Sequence, residues 1–211
     1  MGSACAPVDG AELAAVSYSA AQARILDAAL DLFATHGVSG TSLQMIANAL
    51  GITKAAVYHQ FRAKEHIVVA VTERELGRLV PVLEAAEAHG NGPRARDALL
   101  VHVIAMAVRD RRLVRTLQFD PVVVALLANH PPFQRFMARL YGVLLDNDGE
   151  DARIVAAMFS GAISSAVMNP LVADIDDDTL RDRLTDLSRR LLGLPTTAAT
   201  PRRPRPGQAK L

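Results

Sequence analysis

Between residues 20 and 61 apolar side chains recur at helical spacing in three short registers, each ended by a residue able to turn the chain. The first register is Ile25, Leu26, Ala29, Leu32 and Phe33, one face of a helix. Ser19-Ala20-Ala21-Gln22 precedes it with the spacing of a capping box, and His36-Gly37 closes it. The second is Leu43, Ile46, Ala47 and Leu50, with Thr41 placed to cap it and Gly51 able to turn with positive φ. In the third, capped by Thr53, the residues Ile52, Ala56, Val57 and Phe61 face inward and Lys54, Ala55, Tyr58 and His59 face outward. Leu26, Phe33, Ile46, Val57 and Phe61 are predicted to share one small core.

The pattern stays helical beyond this point. Lys64 to about Ala88 reads as one long helix, with Ile67, Val71, Leu79, Val82 and Leu83 on its apolar side and a kink at Pro81. A loop at His89–Pro93 leads into Arg94–Arg109, which is nearly all apolar from Ala98 to Val108 and so marks a central helix. Asp110–Pro132 is irregular, with one or two short helices broken near Asp120-Pro121. Phe133–Leu145 is helical, ended by Asp146-Asn147-Asp148-Gly149. Two helices follow, Asp151–Val172 and Asp176–Leu192. The first carries small residues that permit close approach; the second has the stripe Leu180, Leu184, Leu187 and Leu191.

Composition narrows the class. Half of the 211 residues are hydrophobic, aromatics make up 4%, and no hairpin signal separates strand-like runs, so the chain is all-α. The lone Cys5 excludes an intramolecular disulfide and a cysteine metal site. No signal peptide begins the chain and no apolar stretch is expected to reach a bilayer span, which gives a cytoplasmic protein without membrane partners. The serine run Gly161–Ser165 lacks the spacing of a nucleophile elbow, the histidines form no metal pair and no P-loop is present. Neither an enzyme nor a metal or cofactor is indicated. Net charge is +1, so any nucleic-acid binding depends on local placement rather than bulk charge.

That placement is specific. A short helix that keeps lysine, hydroxyl and imidazole groups free, braced by a neighbour across a tight glycine turn, is the layout of a helix-turn-helix DNA reader. The stretch ARILDAALDLFATHGVSGTSLQMIANALGITKAAVYHQFRAKEHI resembles the N-terminal DNA-binding domain of the tetracycline-repressor (TetR) family of bacterial regulators. The matching positions are Phe33, Gly37, Thr41, Ile46-Ala47, Gly51-Ile52-Thr53, Val57-Tyr58, Phe61 and Lys64. Ala55 departs from the pattern, since many members carry glycine there.

The resemblance implies an organisation and a set of contacts. A flexible segment, 1–18, would precede a helix-turn-helix domain at 19–65, a helical effector-binding and dimerisation domain at 66–194 and a disordered basic tail at 195–211. Thr41, Thr53, Tyr58 and Lys64 would hold phosphates; Gln44, Lys54, Ala55 and His59 would lie nearest base edges; Ser42 joins this DNA-binding set. The last two helices would pair with those of a second copy as a four-helix bundle. In the body, His102, Met106, Phe119, Phe133, Phe136, Met137, Tyr141 and Met158 could line a pocket for a small apolar effector, although such residues also serve as plain core. The expected function is a ligand-responsive regulator, a repressor acting as a homodimer on a palindromic double-stranded DNA operator. A constitutive DNA binder without effector is the alternative, followed by a helical enzyme that keeps the head as a vestige.

Overall fold

The computed structural model describes residues 17–90, 92–145 and 150–195. Cys5, the Asp146–Gly149 helix end and the basic tail with Arg202, Arg203 and Arg205 lie outside the described residues. Among those described there are eleven α-helices, one 3-10 turn and no strand.

The head begins with α1 (Ala20–Gly40). Ser19 Oγ accepts from the Gln22 amide at 3.2 Å and Gln22 Oε1 from the Ser19 amide at 3.0 Å, the capping box read from the sequence. The helical path breaks at Gly37, where φ is 72° and ψ 165°, and a last turn carries the chain to Gly40. Helix α2 (Leu43–Leu50) is capped by Ser42, whose Oγ accepts from Met45 N at 3.2 Å, and not by Thr41. Thr41 is instead buried and donates its hydroxyl to Gly37 O at 2.8 Å, satisfying a carbonyl that the break at Gly37 sets free. Gly51, with φ 65°, ends α2, and Thr53 caps α3 (Lys54–Gln60).

The body follows as α4 (Lys64–Gly77), α5 (Val80–Ala88), α6 (Pro93–Arg109), α7 (Arg111–Phe119), α8 (Pro121–Ala128), α9 (Pro131–Leu145), α10 (Glu150–Met168) and α11 (Asp177–Leu191). Three expectations are corrected here. Lys64–Ala88 is two helices: Arg78 N bonds to Glu75 O at 3.3 Å and Leu79 N to Leu76 O at 2.9 Å, tightening the joint to three-residue bonds. Pro81, without an amide hydrogen for Gly77 O, falls in the first turn of α5, where that hydrogen is not needed. Helix α10 stops at Met168 rather than Val172, because the residue before Pro170 is pushed to an extended conformation. Asn169 then accepts from Leu171 N at 3.0 Å and starts the 3-10 turn Pro170–Val172. Finally, Asp151–Met168 is by length and composition apolar enough to cross a membrane, contrary to expectation. Its Phe159, Ile163 and Val167 pack into the body core, so the apolarity has a use inside the fold.

Two cores result. Ile25, Leu26, Phe33, Ile46, Val57 and Phe61 join Ile67 and Val71 of α4 in the head-side core, which extends to Leu113 of α7 and to Val123 and Leu127 of α8. The body core gathers Leu83, Leu99, Leu100, Ile104, Leu140 and Leu144, among others. Helix α7 stands between them: Leu113 belongs to the first and its neighbour Val114 to the second. Polar ties reinforce the same joints. Arg74 of α4 reaches Asp27 at 2.8 Å and Ala23 O at 3.3 Å on α1. Arg189 of α11 grips Asp97 of α6 with two bonds of 2.6 and 2.9 Å, and Arg139 of α9 grips Glu87 of α5.

Candidate nucleic-acid interface and body cavity

Helix α3 is anchored from below. Val57 is fully buried and Phe61 nearly so, four residues apart, which turns Lys54, Ala55, Tyr58 and His59 to solvent. Ala56, read as an inner residue, is exposed, since it lies on the flank beside Val57. Thr53 and Ser42 are exposed at the starts of α3 and α2. Thr53 Oγ1 accepts from Ala56 N at 3.1 Å and keeps its own proton free to donate. Gln44 is exposed on α2 and donates to Asn48 Oδ1 at 2.7 Å. Arg62, absent from the residues singled out in the sequence, holds its guanidinium 5.2 Å above the Tyr58 ring. The four-residue spacing to Tyr58 was the signal for it. No acidic residue occurs from Thr41 to Lys64, so the face presents positive charge without internal cancellation.

Two members of the expected DNA set point elsewhere. Thr41 is 2% exposed, with its hydroxyl on Gly37. Lys64 Nζ donates to Val38 O and to Thr41 O, the latter at 3.0 Å. The lysine thus fastens the start of α4 to the chain between α1 and α2, where loose carbonyls attract a cation.

The body holds a partly open cavity of about 110 Å³ with walls from α4, α6, α7, α9 and α10. Met106, Phe133, Met137 and Tyr141 line it, as the sequence proposed. The other four expected residues do not. His102 is exposed on the flank of α6, its Nδ1 2.8 Å from Ala98 O. Phe136, one step around α9 from Met137, is buried in the body core away from the wall. Phe119 is half exposed in a cleft with Phe33 and Pro121 at the end of α7. Met158 is 70% exposed on the outside of α10. Sequence reasoning missed Leu113 and Leu117 of α7 and Phe159, Ser160 and Ile163 of α10, because aliphatic positions in a buried helix look alike whether they face a cavity or a neighbour. Burial raises the Tyr141 hydroxyl pKa above its ordinary value, and a hydrogen bond with Ser160 partly offsets this.

A third surface completes the body. Ile154 and Met158 of α10 and Leu187 and Leu191 of α11 are exposed, on faces where Ala157, Ala162 and Ser165 keep the surface shallow. A Cβ added at Gly161 would meet no atom within 4 Å beyond the adjoining backbone of its own helix.

Residues 25–71 match the family model described as bacterial regulatory proteins, tetR family. The transcriptional regulator AcrR of Shigella flexneri is 35% identical over 91 residues, 42% of this chain and 42% of that one. BetI of Rhizobium meliloti, another transcriptional regulator, is 30% identical over 112 residues, 53% of this chain and 51% of its own. The chain therefore spans about half or less of these curated relatives. Likeness of fold extends further. The fatty acid degradation regulator FadR from Bacillus halodurans has a TM-score of 0.66 at 20% identity, covering 84% of this chain and 96% of its own. A tetR-family regulatory protein from Rhodococcus has a TM-score of 0.64 at 20% identity, covering 84% and 100%. The head, residues 25–71, is thus similar to the tetR family of bacterial regulatory proteins, on a body of the same all-α fold as a tetR-family regulatory protein of known structure.

Proposed function

We propose that two copies of this chain bind a palindromic DNA operator and repress transcription until a small apolar effector enters the body cavity. The observation that carries this reading is the outward face of α3, where Lys54, Ala55, Tyr58 and His59 stand exposed on a segment free of acids. Two such helices, one per copy, fit successive major grooves about 34–36 Å apart. Lys54, Ala55, His59 and Gln44 then lie toward base edges. Ser42, Thr53 and Tyr58, the last steadied by Arg62, lie toward phosphates. The exposed α10–α11 face supplies a surface through which two copies pair. A regulator that works on DNA acts in the compartment that holds the DNA, the cytoplasm of a bacterium.

Release follows from linkage. An effector that binds more tightly to a body with a different spacing of heads weakens DNA binding by that difference in free energy. Helix α7 supports such coupling, since it lines the cavity with Leu113 and Leu117 and also carries part of the head-side core. Repression is favoured by NalD of Pseudomonas aeruginosa, a protein described as the secondary repressor of a multidrug efflux pump, with a TM-score of 0.57 at 24% identity.

The test is selection of genomic fragments bound by the full chain, followed by gel shifts on the enriched sequence. A palindromic motif bound by wild type and lost in the Lys54→Ala, Tyr58→Ala double variant is expected. Retention of no sequence above background would overturn the proposal.

A further inference from the structure

We infer that the body cavity takes a small uncharged alcohol or phenol, about one ring in size, with its hydroxyl lodged against Tyr141. This rests on the effector-responsive reading above and narrows its ligand. Size sets the first limit. The space of about 110 Å³ is somewhat smaller than the ~150 Å³ apolar cavity that admits benzene. Met106 of α6 and Met137 of α9 line it, and their unbranched side chains can re-pack to accommodate a ring and a substituent.

Charge sets the second. The polar residues on the wall are Gln118, Tyr141, Ser160 and Ser164, and no Asp, Glu, Lys, Arg or His lines it. Glu75, next in sequence to the lining residue Leu76, is already engaged by Arg74 and Arg78. An ion of either sign would leave water here and meet no counter-charge.

Hydrogen bonding sets the third. Tyr141 and Ser160 both line the wall, and Ser160 Oγ donates to Ala157 O at 3.2 Å while keeping lone pairs able to accept. The Tyr141 hydroxyl on the same wall can both donate to and accept from a ligand hydroxyl. A ligand hydroxyl on an otherwise apolar body, which also donates and accepts, matches this lining.

The experiment uses the full chain with phenol, toluene, benzoate and benzylammonium as probes at pH 7, followed by saturation-transfer NMR and thermal unfolding. Phenol is expected to bind at least tenfold more tightly than either ion and to raise the melting temperature. Tyr141→Phe is expected to weaken phenol roughly tenfold while leaving toluene unchanged, and Ala107→Trp to block both by filling the space. Val103→Phe serves the same purpose if the tryptophan prevents folding. Either ion binding as well as phenol, or phenol binding undiminished in both the filled and the Tyr141→Phe variants, would overturn the inference. Operator release is measured alongside. Phenol that binds by these rules without releasing DNA sinks the effector reading and leaves the ligand class standing. Release by an ion while phenol is inert does the reverse.

Discussion

The Asp120 carboxylate accepts a hydrogen bond from the Val38 amide at 2.7 Å, joining the end of α1 to the junction of α7 and α8. The same carboxylate caps α8 by accepting from Val122 N at 2.9 Å and Val123 N at 3.3 Å. One side chain therefore satisfies amides of both head and body. Gly37 allows the approach: its φ of 72° favours glycine, and an added Cβ would lie 3.3 Å from Asp120 Oδ2.

Asp120→Ala leaves three amides short of a partner, two of them at a helix start. A loss of roughly 2–3 kcal/mol is expected, read from urea unfolding of the full chain. Gly37→Ala is expected to cost about 1 kcal/mol or more through backbone strain. An Asp120→Ala variant as stable as wild type would show that the contact contributes nothing.

Lysines on the head are expected to separate by role. Lys54 is exposed, and Lys54→Ala or Tyr58→Ala is expected to leave the melting curve within about 0.5 kcal/mol of wild type while weakening operator binding. Lys64→Ala removes charge-assisted bonds to Val38 O and Thr41 O and is expected to lower stability by about 1.5–3 kcal/mol. If Lys64→Ala melts like wild type and only flattens the salt dependence of DNA binding, the lysine serves phosphate after all.

These residues show where the sequence was legible and where it was not. Helix positions in the head followed from periodicity and caps, and all five predicted core residues share one cluster. The capping box at Ser19 formed as read. Thr41 and Ser42 are adjacent residues with the same capping chemistry, and only the break at Gly37 decides that Ser42 takes the cap. The partners of Lys64 were illegible for a related reason: they are backbone carbonyls 26 and 23 positions away, which leave no mark on side-chain pattern. In the body, Met106 and Phe119 looked equivalent as soft apolar residues. Met106 of α6 faces the cavity and Phe119 at the end of α7 is half exposed, a difference that tertiary packing sets and residue type does not.

Pairing of two copies is expected to depend on the exposed apolar face. Met158→Arg or Leu187→Arg places a charge on it without touching the core, so helicity is expected to persist while sedimentation at micromolar concentration shifts toward the monomer. Operator affinity is expected to fall with it, because a single head engages only half a site. Leu184 is a poorer probe, since it packs against the body core and its replacement by arginine would disturb folding itself. A Met158→Arg, Leu187→Arg double variant that sediments as wild type would exclude this face from the assembly.

Alkaline pH is expected to loosen the tie between the start of α1 and α4. Tyr18 donates to Glu73 Oε2 at 3.2 Å, and burial first, then the Glu73 charge, raises its hydroxyl pKa far above the ordinary 10.0. Because the folded value exceeds the unfolded one, the stabilisation is complete below about pH 10 and is lost progressively as pH climbs above it. Tyr18→Phe is therefore expected to be less stable than wild type at pH 8, with the gap shrinking as the buffer is taken toward pH 11. Parallel pH profiles for the two proteins would rule out this linkage.

Pro81 is expected to have almost no thermodynamic weight. In the interior of one kinked helix it would cost about 3 kcal/mol relative to alanine, and Pro81→Ala would recover much of that. The chain instead ends α4 at Gly77, passes Arg78 and Leu79 with φ,ψ of −67°, −21° and −87°, −17°, and begins α5 with Pro81 in its first turn. There the ring presets φ and removes an amide hydrogen that a first turn does not use. Pro81→Ala is accordingly expected to change stability by less than about 1 kcal/mol, because the freer unfolded chain offsets the better helix propensity of alanine. Urea unfolding measures this directly, and amide exchange at residues 78–81 reports whether the joint persists. A gain near 3 kcal/mol, with new protection across the joint, would mean that α4 and α5 are one helix held bent by a single residue.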